Sequence, residues 1–153
     1  MEELYTDKEL KVLGKVFISL PTLQSLTLTL RTGSIRENIL LGVLFEGVNK
    51  MIHLRCLDIL TDIVNTEVIK SISKVIRNCT EIQDLTLTIL DKPRNELDFS
   101  SLKEALMETK HLKALKLALR AYKQFSSRII NYISTILGEL TLKSSDFIRC
   151  IHL

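Results

Sequence analysis

The sequence predicts an α/β solenoid, in which a parallel sheet is covered by helices on one face only. Two observations predict this fold class. A motif of the form apolar-x-x-apolar-x-apolar recurs along the chain, and each full copy is followed by a stretch with apolar residues at helical spacing. Recurrence at a period of about 20 to 50 residues is typical of arrays built from one supersecondary unit per repeat.

The repeat is visible in the motif itself. The full copies read LQSLTLTL, LRCLDIL, IQDLTLTI and LKALKLAL, and a shortened last copy reads IRCIHL. Successive copies start 31, 28, 30 and 36 residues apart, at Leu23, Leu54, Ile82, Leu112 and Ile148. In most copies the apolar residues that close the motif alternate with other residues, which indicates a strand with one buried and one open face. We therefore expect about four repeats and a partial fifth.

A doubly wound parallel sheet is the rival interpretation, because it also alternates strands with helices. Its strands are covered on both faces and read as near-continuous apolar runs. The strands predicted here alternate instead, and an apolar residue also recurs three positions before each of them. Both features favour the solenoid.

The chain opens with a helix. Thr6-Asp7-Lys8-Glu9 has the form of a capping box, in which side chains satisfy the free backbone N–H groups of the first turn. Pro21 is expected to end the helix. The apolar residues at helical spacing are expected to face the core: Leu10, Leu13, Val16, Phe17 and Leu20.

The later elements follow the repeat. Strands are expected at 26–30, 56–60, 84–90 and 114–120, with a last one from Ile148. Helices are expected to start at Ser34 or Arg36, at Asn65 or Thr66, at Ser101 in a second capping box (Ser101–Glu104), and at Ser127. The segment from Leu140 to Asp146 is expected to be an insertion that lengthens the last spacing.

With this motif the chain resembles the leucine-rich repeat family, and the longer period resembles its ribonuclease-inhibitor-like subclass. The resemblance covers about Leu10 to Leu153 and implies a curved sheet with helices on the convex side. The family usually carries Asn or Cys three residues after the last motif leucine. Those positions hold Arg31, Asp62, Leu90 and Arg120. The departure predicts an atypical turn after each strand.

Composition points to a single soluble domain spanning residues 1–153. Apolar residues make up 46% and charged residues 25% of the chain, and the net charge is +3. Such a mild charge without a cationic run does not predict a nucleic-acid partner. The longest apolar-rich run, at 39–48, is too short to cross a membrane. Because no signal peptide is recognised, a cytoplasmic setting is expected.

The sequence does not predict catalysis. His53, His111 and His152 have no Cys, Asp or Glu at a recurring metal-ligand spacing, and no Gly-rich phosphate loop or nucleophile motif occurs. The three cysteines form no C-x-x-C pair, and Cys79 is expected to be a buried apolar residue. We therefore expect no metal and no cofactor.

The open faces of the strands remain as the candidate site, a concave wall for a protein partner. Its expected residues are Thr27, Thr29, Arg31, Asp58, Leu60, Asp62, Thr86, Thr88, Leu90, Lys116, Ala118 and Arg120. Leu60 and Leu90 are the clearest clues, because an exposed leucine costs solubility unless a partner covers it.

The function expected from this wall is a non-enzymatic protein–protein interaction module, or scaffold. One alternative is a structural subunit of a large multiprotein assembly. Another is the recognition part of a larger regulatory enzyme, such as a ligase adaptor. The chain ends on motif residues without a polar cap, so a fragment, or a C-terminal end covered by another chain, is also expected.

Overall fold

The computed structural model describes residues 7–30, 38–62, 65–90, 98–119, 127–143 and 148–152. Helices and strands alternate through these ranges. The elements are α1 (Asp7–Ile18), β1 (Ser25–Leu30), α2 (Asn38–Val48), β2 (Cys56–Thr61), α3 (Thr66–Asn78), β3 (Asp84–Ile89), α4 (Ser100–Glu108), β4 (Ala114–Leu119), α5 (Ser127–Lys143) and β5 (Ile148–His152).

The strands form one parallel sheet in the order β1-β2-β3-β4-β5. Every crossover therefore moves one place in the same direction. Crossovers between parallel strands are right-handed, so this order puts the helices together on one face of the sheet. Each helix contacts the next along the chain. The order shows no reversal of the kind that defines a doubly wound sheet.

The core lies between the sheet and this layer of helices. In β1 the side chains of Leu26, Leu28 and Leu30 are buried and those between them are exposed, so the predicted alternation is confirmed. The strand register continues this pattern as rows of aliphatic side chains. One row is Leu26, Leu57, Leu85 and Leu115, and the next is Leu28, Ile59, Leu87 and Leu117. Full burial of each of these side chains stabilises the fold by about 1.5–3 kcal/mol relative to leaving it exposed.

Helix α3 forms as its sequence predicts. The Asn65 side chain caps it, since Oδ1 accepts a hydrogen bond from the backbone N–H of Val68 at 2.9 Å. The residues expected to face inward are all buried: Val68, Ile69, Ile72, Val75 and Ile76. Cys79, just beyond the helix, is fully buried, as expected.

Helix α4 begins differently from the prediction. It starts at Ser100, and its N-cap residue Phe99 makes no side-chain hydrogen bond, so the expected capping box at Ser101–Glu104 is wrong. The carboxylate of Asp98 accepts a hydrogen bond from the Ser100 backbone N–H at 2.8 Å instead. The Ser101 hydroxyl is then available to hydrogen bond with Ser73 of α3, at 3.2 Å.

The expected insertion after residue 139 is wrong in its first part. Helix α5 continues to Lys143, and Leu140 is buried with 4% of its surface exposed. The register of β5 also differs, since Ile148 lies opposite Ala114 and not opposite the leading Leu112.

Helix α1 buries less than its pattern predicts. Phe17 is buried and Leu13 is half-buried, but Val16 and Leu20 are exposed over 44% and 41% of their surfaces. The cause is the position of α1 at the end of the helix layer, where its main helix neighbour is α2.

Helix α2 begins at Asn38, and the starts expected at Ser34 or Arg36 lie outside the described residues. The helix buries Phe45, which the sequence pattern had not placed in the core. No helix in the described ranges is long and apolar enough to cross a membrane.

Candidate interaction face

The strand register brings the predicted site residues together. The side of the sheet opposite the helices is called the open face here, and two of its rows run across four strands. One row is Thr27, Asp58, Thr86 and Lys116, and the other is Thr29, Leu60, Thr88 and Ala118. Residues in one row lie on neighbouring strands about 4.8 Å apart, so they form a continuous surface.

Two further predicted residues extend this surface at the ends of the strands. Asp62 follows β2 and donates its backbone N–H to the carbonyl of Leu30 at 3.3 Å. Leu90 follows β3 and donates its backbone N–H to the carbonyl of Thr61 at 2.9 Å. Sheet-like pairing therefore continues one residue past these strands. Arg31 and Arg120 lie outside the described residues.

The open face is not equally accessible along its length. Thr27 and Thr29 are exposed. The half-buried members are Asp58, Leu60, Asp62, Thr86, Leu90 and Lys116. Thr88 and Ala118 are buried, with 8% and 1% of their surfaces exposed. These two residues therefore offer a partner little contact area.

Charge is distributed unevenly on the open face. Asp58 and Asp84 lie on the neighbouring strands β2 and β3, and Lys116 lies on β4. A partner crossing the sheet from β2 to β4 would therefore meet negative charge first and positive charge last. Such an arrangement favours one orientation of a charged ligand over the other.

A thiol sits beside the acidic part of this face. Cys56 Sγ donates a hydrogen bond to Asp84 Oδ2 at 3.6 Å. Burial, followed by the hydrogen bond and the charge of Asp84, raises the pKa of Cys56. Since the thiolate is the reactive form, this environment disfavours a nucleophilic role.

A polar cluster at the start of the strands was not found by sequence reasoning. His53 Nδ1 lies 3.0 Å from Glu81 Oε1, and Arg55 Nε lies 3.6 Å from Glu81 Oε2. The hydrogen bond from His53 is the main cause that lowers the pKa of Glu81. His53 and Glu81 each directly precede the leading apolar residue of their repeats. Residues at the same position in neighbouring repeats lie side by side, so this shared position could have predicted their contact.

The helix layer carries ion pairs between neighbours. Arg77 of α3 binds Glu104 and Glu108 of α4 at 2.8 and 3.1 Å, and Lys103 of α4 binds Glu139 of α5 at 2.8 Å. A groove of about 230 Å³ lies at the ends of α3 and α4, where it is lined by Arg77, Glu108 and His111 among others. Its arginine is already paired, so the groove offers less free positive charge than its composition suggests.

Within the described residues, no group of three or more His, Cys, Asp or Glu is placed to hold a metal ion. The fully buried Cys79 has its pKa raised to about 11 by burial.

Comparisons of the chain with protein-family models, with curated proteins and with solved structures found no match. The open face is therefore the candidate site, because it brings the largest number of predicted site residues together.

Proposed function

We propose that this chain is a non-enzymatic protein–protein interaction module that binds a partner through the open face. The observation that carries the proposal is the alignment of Thr27, Asp58, Thr86 and Lys116 in one row, with Thr29 and Leu60 beside it. The helices occupy the other face, so this row is available for contact.

We also propose that the fold is a leucine-rich-repeat solenoid of the ribonuclease-inhibitor-like subclass. Sequential strand order and one motif copy per strand support it. A helix with its side chains is about 10 Å wide, whereas strands are about 4.8 Å apart. Stacked strand–helix units therefore splay on the helix side, which gives a concave open face.

The partner we propose has an apolar group for Leu60 and Leu90 and a charged segment for Asp58 and Lys116. Leu60 and Leu90 are half-buried, so only part of each apolar side chain is accessible to a partner. A cytoplasmic setting is part of this proposal.

A structural role within a large assembly is the second candidate. The exposed apolar residues at the α1 end favour it: Val12, Val16, Ile18, Leu20 and Ile52. Residues of this kind cost solubility unless another surface covers them.

Site-specific photo-crosslinking tests the proposed function. A photoreactive amino acid replaces Leu60 on the open face in one variant and Lys74 on the exposed side of α3 in a matched control. We expect the Leu60 probe to capture one protein in native extract that the Lys74 probe does not. Equal capture by both probes, or capture by the Lys74 probe alone, would contradict the open face as the binding site.

A further inference from the structure

The end of the structure formed by α1 exposes apolar side chains at places where most later repeats have buried residues. Val16 lies seven residues before the first motif residue of its repeat and is 44% exposed. The residues at the same place in the next three repeats are all buried: Gly47, Val75 and Ala105. Leu20 is 41% exposed, whereas Met51 and Cys79 at its place are fully buried. In the α4 unit the place of Leu20 is held by Thr109, which is half-buried. Among these four units, α1 is therefore the one with exposed apolar residues at both places.

In the later repeats this surface is covered by the preceding unit. Gly47 packs against the backbone of Gly14 in α1. Cys79 Sγ lies 3.8 Å from the carbonyl oxygen of Val48, at the end of α2. No described unit precedes α1, so the described residues include no preceding helix that packs on this side of α1.

The other half of each junction uses one recurrent helical position. Gly14 contacts Gly47, Ser73 hydrogen bonds with Ser101, and Lys103 binds Glu139, so each of these residues faces the following helix. Nine residues before Ile148 lies Glu139, which faces α4. Aligning the buried Ile133, Ile136 and Leu137 of α5 with Leu102, Ala105 and Leu106 of α4 instead puts Ser134 at this place, and Ser134 is exposed. By this alignment, Ser134 lies on the side of α5 where a following helix would pack, and no described helix follows α5.

The contacts of α5 agree with this assignment. Glu139 and Tyr132 face α4, through Lys103 and Phe99 respectively. At about 100° per residue, Ile130 and Ser134 lie on the opposite side of the helix. A Cβ atom added at Gly138, one turn after Ser134, would meet no atom within 4 Å. This side of α5 thus has a half-buried isoleucine beside small exposed residues, a shape that can receive Val12 and Val16.

The sheet has matching ends. β1 and β5 are its edge strands, and they run in the same direction. An edge strand presents unpaired backbone N–H and C=O groups that can pair with a strand from another chain. A β1 strand placed beside the β5 strand of another copy would continue the parallel order.

We infer that copies of this chain associate head to tail, with the α1–β1 end of one copy docked on the α5–β5 end of the next. Lys8, Lys11 and Lys15 outnumber Glu9 among the exposed charged residues of α1, so pairing of two α1 helices would bring more like than opposite charges together. Asn131, Ser134 and Gly138 on α5 are uncharged and impose no such repulsion. A contact between two different surfaces extends into a ring or a filament.

The test uses two variants of the full chain that each block one end. Val16→Glu blocks the α1 end, and Ser134→Arg blocks the α5 end. Both positions are exposed, so folding should be preserved, and circular dichroism checks it. Lys15→Glu and Thr135→Arg are matched controls at adjacent exposed positions. Mass is measured by light scattering after gel filtration, over roughly 1 µM to 1 mM.

We expect the mass of the wild-type protein and of both controls to rise with concentration, while each blocking variant alone stays monomeric. An equimolar mixture of the two blocking variants should form a 1:1 dimer and nothing larger, since one intact end remains on each. A monomeric wild type, a Ser134→Arg variant that still associates, or a mixture that stays monomeric would overturn the inference. None of these outcomes depends on the open face.

Discussion

Gly47 in α2 lies directly against the carbonyl group of Gly14 in α1, so these two helices meet backbone to backbone. A Cβ atom at Gly47 would collide with the Gly14 carbonyl oxygen. Neither glycine adopts a positive φ angle. The closeness of the two helices, and not backbone conformation, is therefore what requires glycine at Gly47.

Substitution of Gly47 tests this contact. Alanine gains about 1 kcal/mol in intrinsic helix preference over glycine. Against this, overpacking of a tight contact costs about 1–3 kcal/mol. We expect Gly47→Ala to lower the free energy of unfolding by up to about 2 kcal/mol in urea denaturation. Gly42→Ala is the matched control in the same helix, where a Cβ meets nothing within 4 Å, and it should stabilise the protein. Stabilisation by both changes would show that α1 is not seated on α2 in this way.

Leu87 and Thr86 test the strand register. Leu87 is 2% exposed in the core and Thr86 is half-buried on the open face. We expect Leu87→Ala to cost about 2–5 kcal/mol, because it leaves a cavity in the core. Thr86→Ala should cost less than about 1 kcal/mol. Chemical denaturation measures both, and similar costs for the two variants would mean that the faces are assigned wrongly.

Arg77 forms a fork that joins α3 to α4. Its side chain is 35% exposed and those of Glu104 and Glu108 are 66% and 64% exposed, so solvent screens both pairs. We expect Arg77→Met to cost about 0.5–1 kcal/mol at low salt and clearly less at 1 M salt. Lys70→Met, which removes a single contact within α3 to Glu67, is the control and should cost less. An effect of Arg77→Met that is independent of salt would mean that packing, and not charge, is lost.

Glu81 should titrate at unusually low pH. The hydrogen bond from His53, with the nearby charges, holds the pKa of Glu81 below its ordinary value of 4.5. Since the folded-state pKa is depressed, the stabilisation is present above that ordinary value and is lost as pH falls through the folded-state pKa. An NMR titration of the carboxyl carbon should show the midpoint of Glu81 rising in His53→Gln.

Asp98 provides the internal control for that titration. The pKa of Asp98 is lowered mainly by hydrogen bonds from Ser100, which His53 does not touch. Its midpoint should therefore stay unchanged in His53→Gln. A Glu81 midpoint that also stays unchanged would show that His53 is not the partner of this carboxylate.

The sequence predicted what depends on periodicity. Alternation of Leu26, Leu28 and Leu30 with threonines identified the strand faces, and recurrence of the motif along the chain predicted which strands are neighbours. Asn65 or Thr66 was expected to begin this helix, and Asn65 caps it through a hydrogen bond that its side chain accepts from its own first turn. These features follow from local chemistry repeated along the chain.

The features that depend on neighbours were missed. Ser101 looked like a cap, but Asp98 hydrogen bonds to the first turn of α4 and Ser101 contacts Ser73 in the preceding helix. Val16 has the spacing of a core residue, yet no described helix covers it. Thr88 belongs to the open face by alternation but is buried, so its substitution would confuse stability with binding. A one-dimensional pattern gives the face of a side chain and not what lies opposite it.

The affinity of the open face for its partner tests the central claim most directly. The partner captured through the Leu60 probe is titrated against Leu60→Asp, Thr86→Arg and the control Lys74→Glu, with folding checked by circular dichroism. We predict that both open-face variants lose about tenfold or more in affinity, which corresponds to about 1.4 kcal/mol, while the control binds like the wild type. Full affinity in both open-face variants would contradict the account.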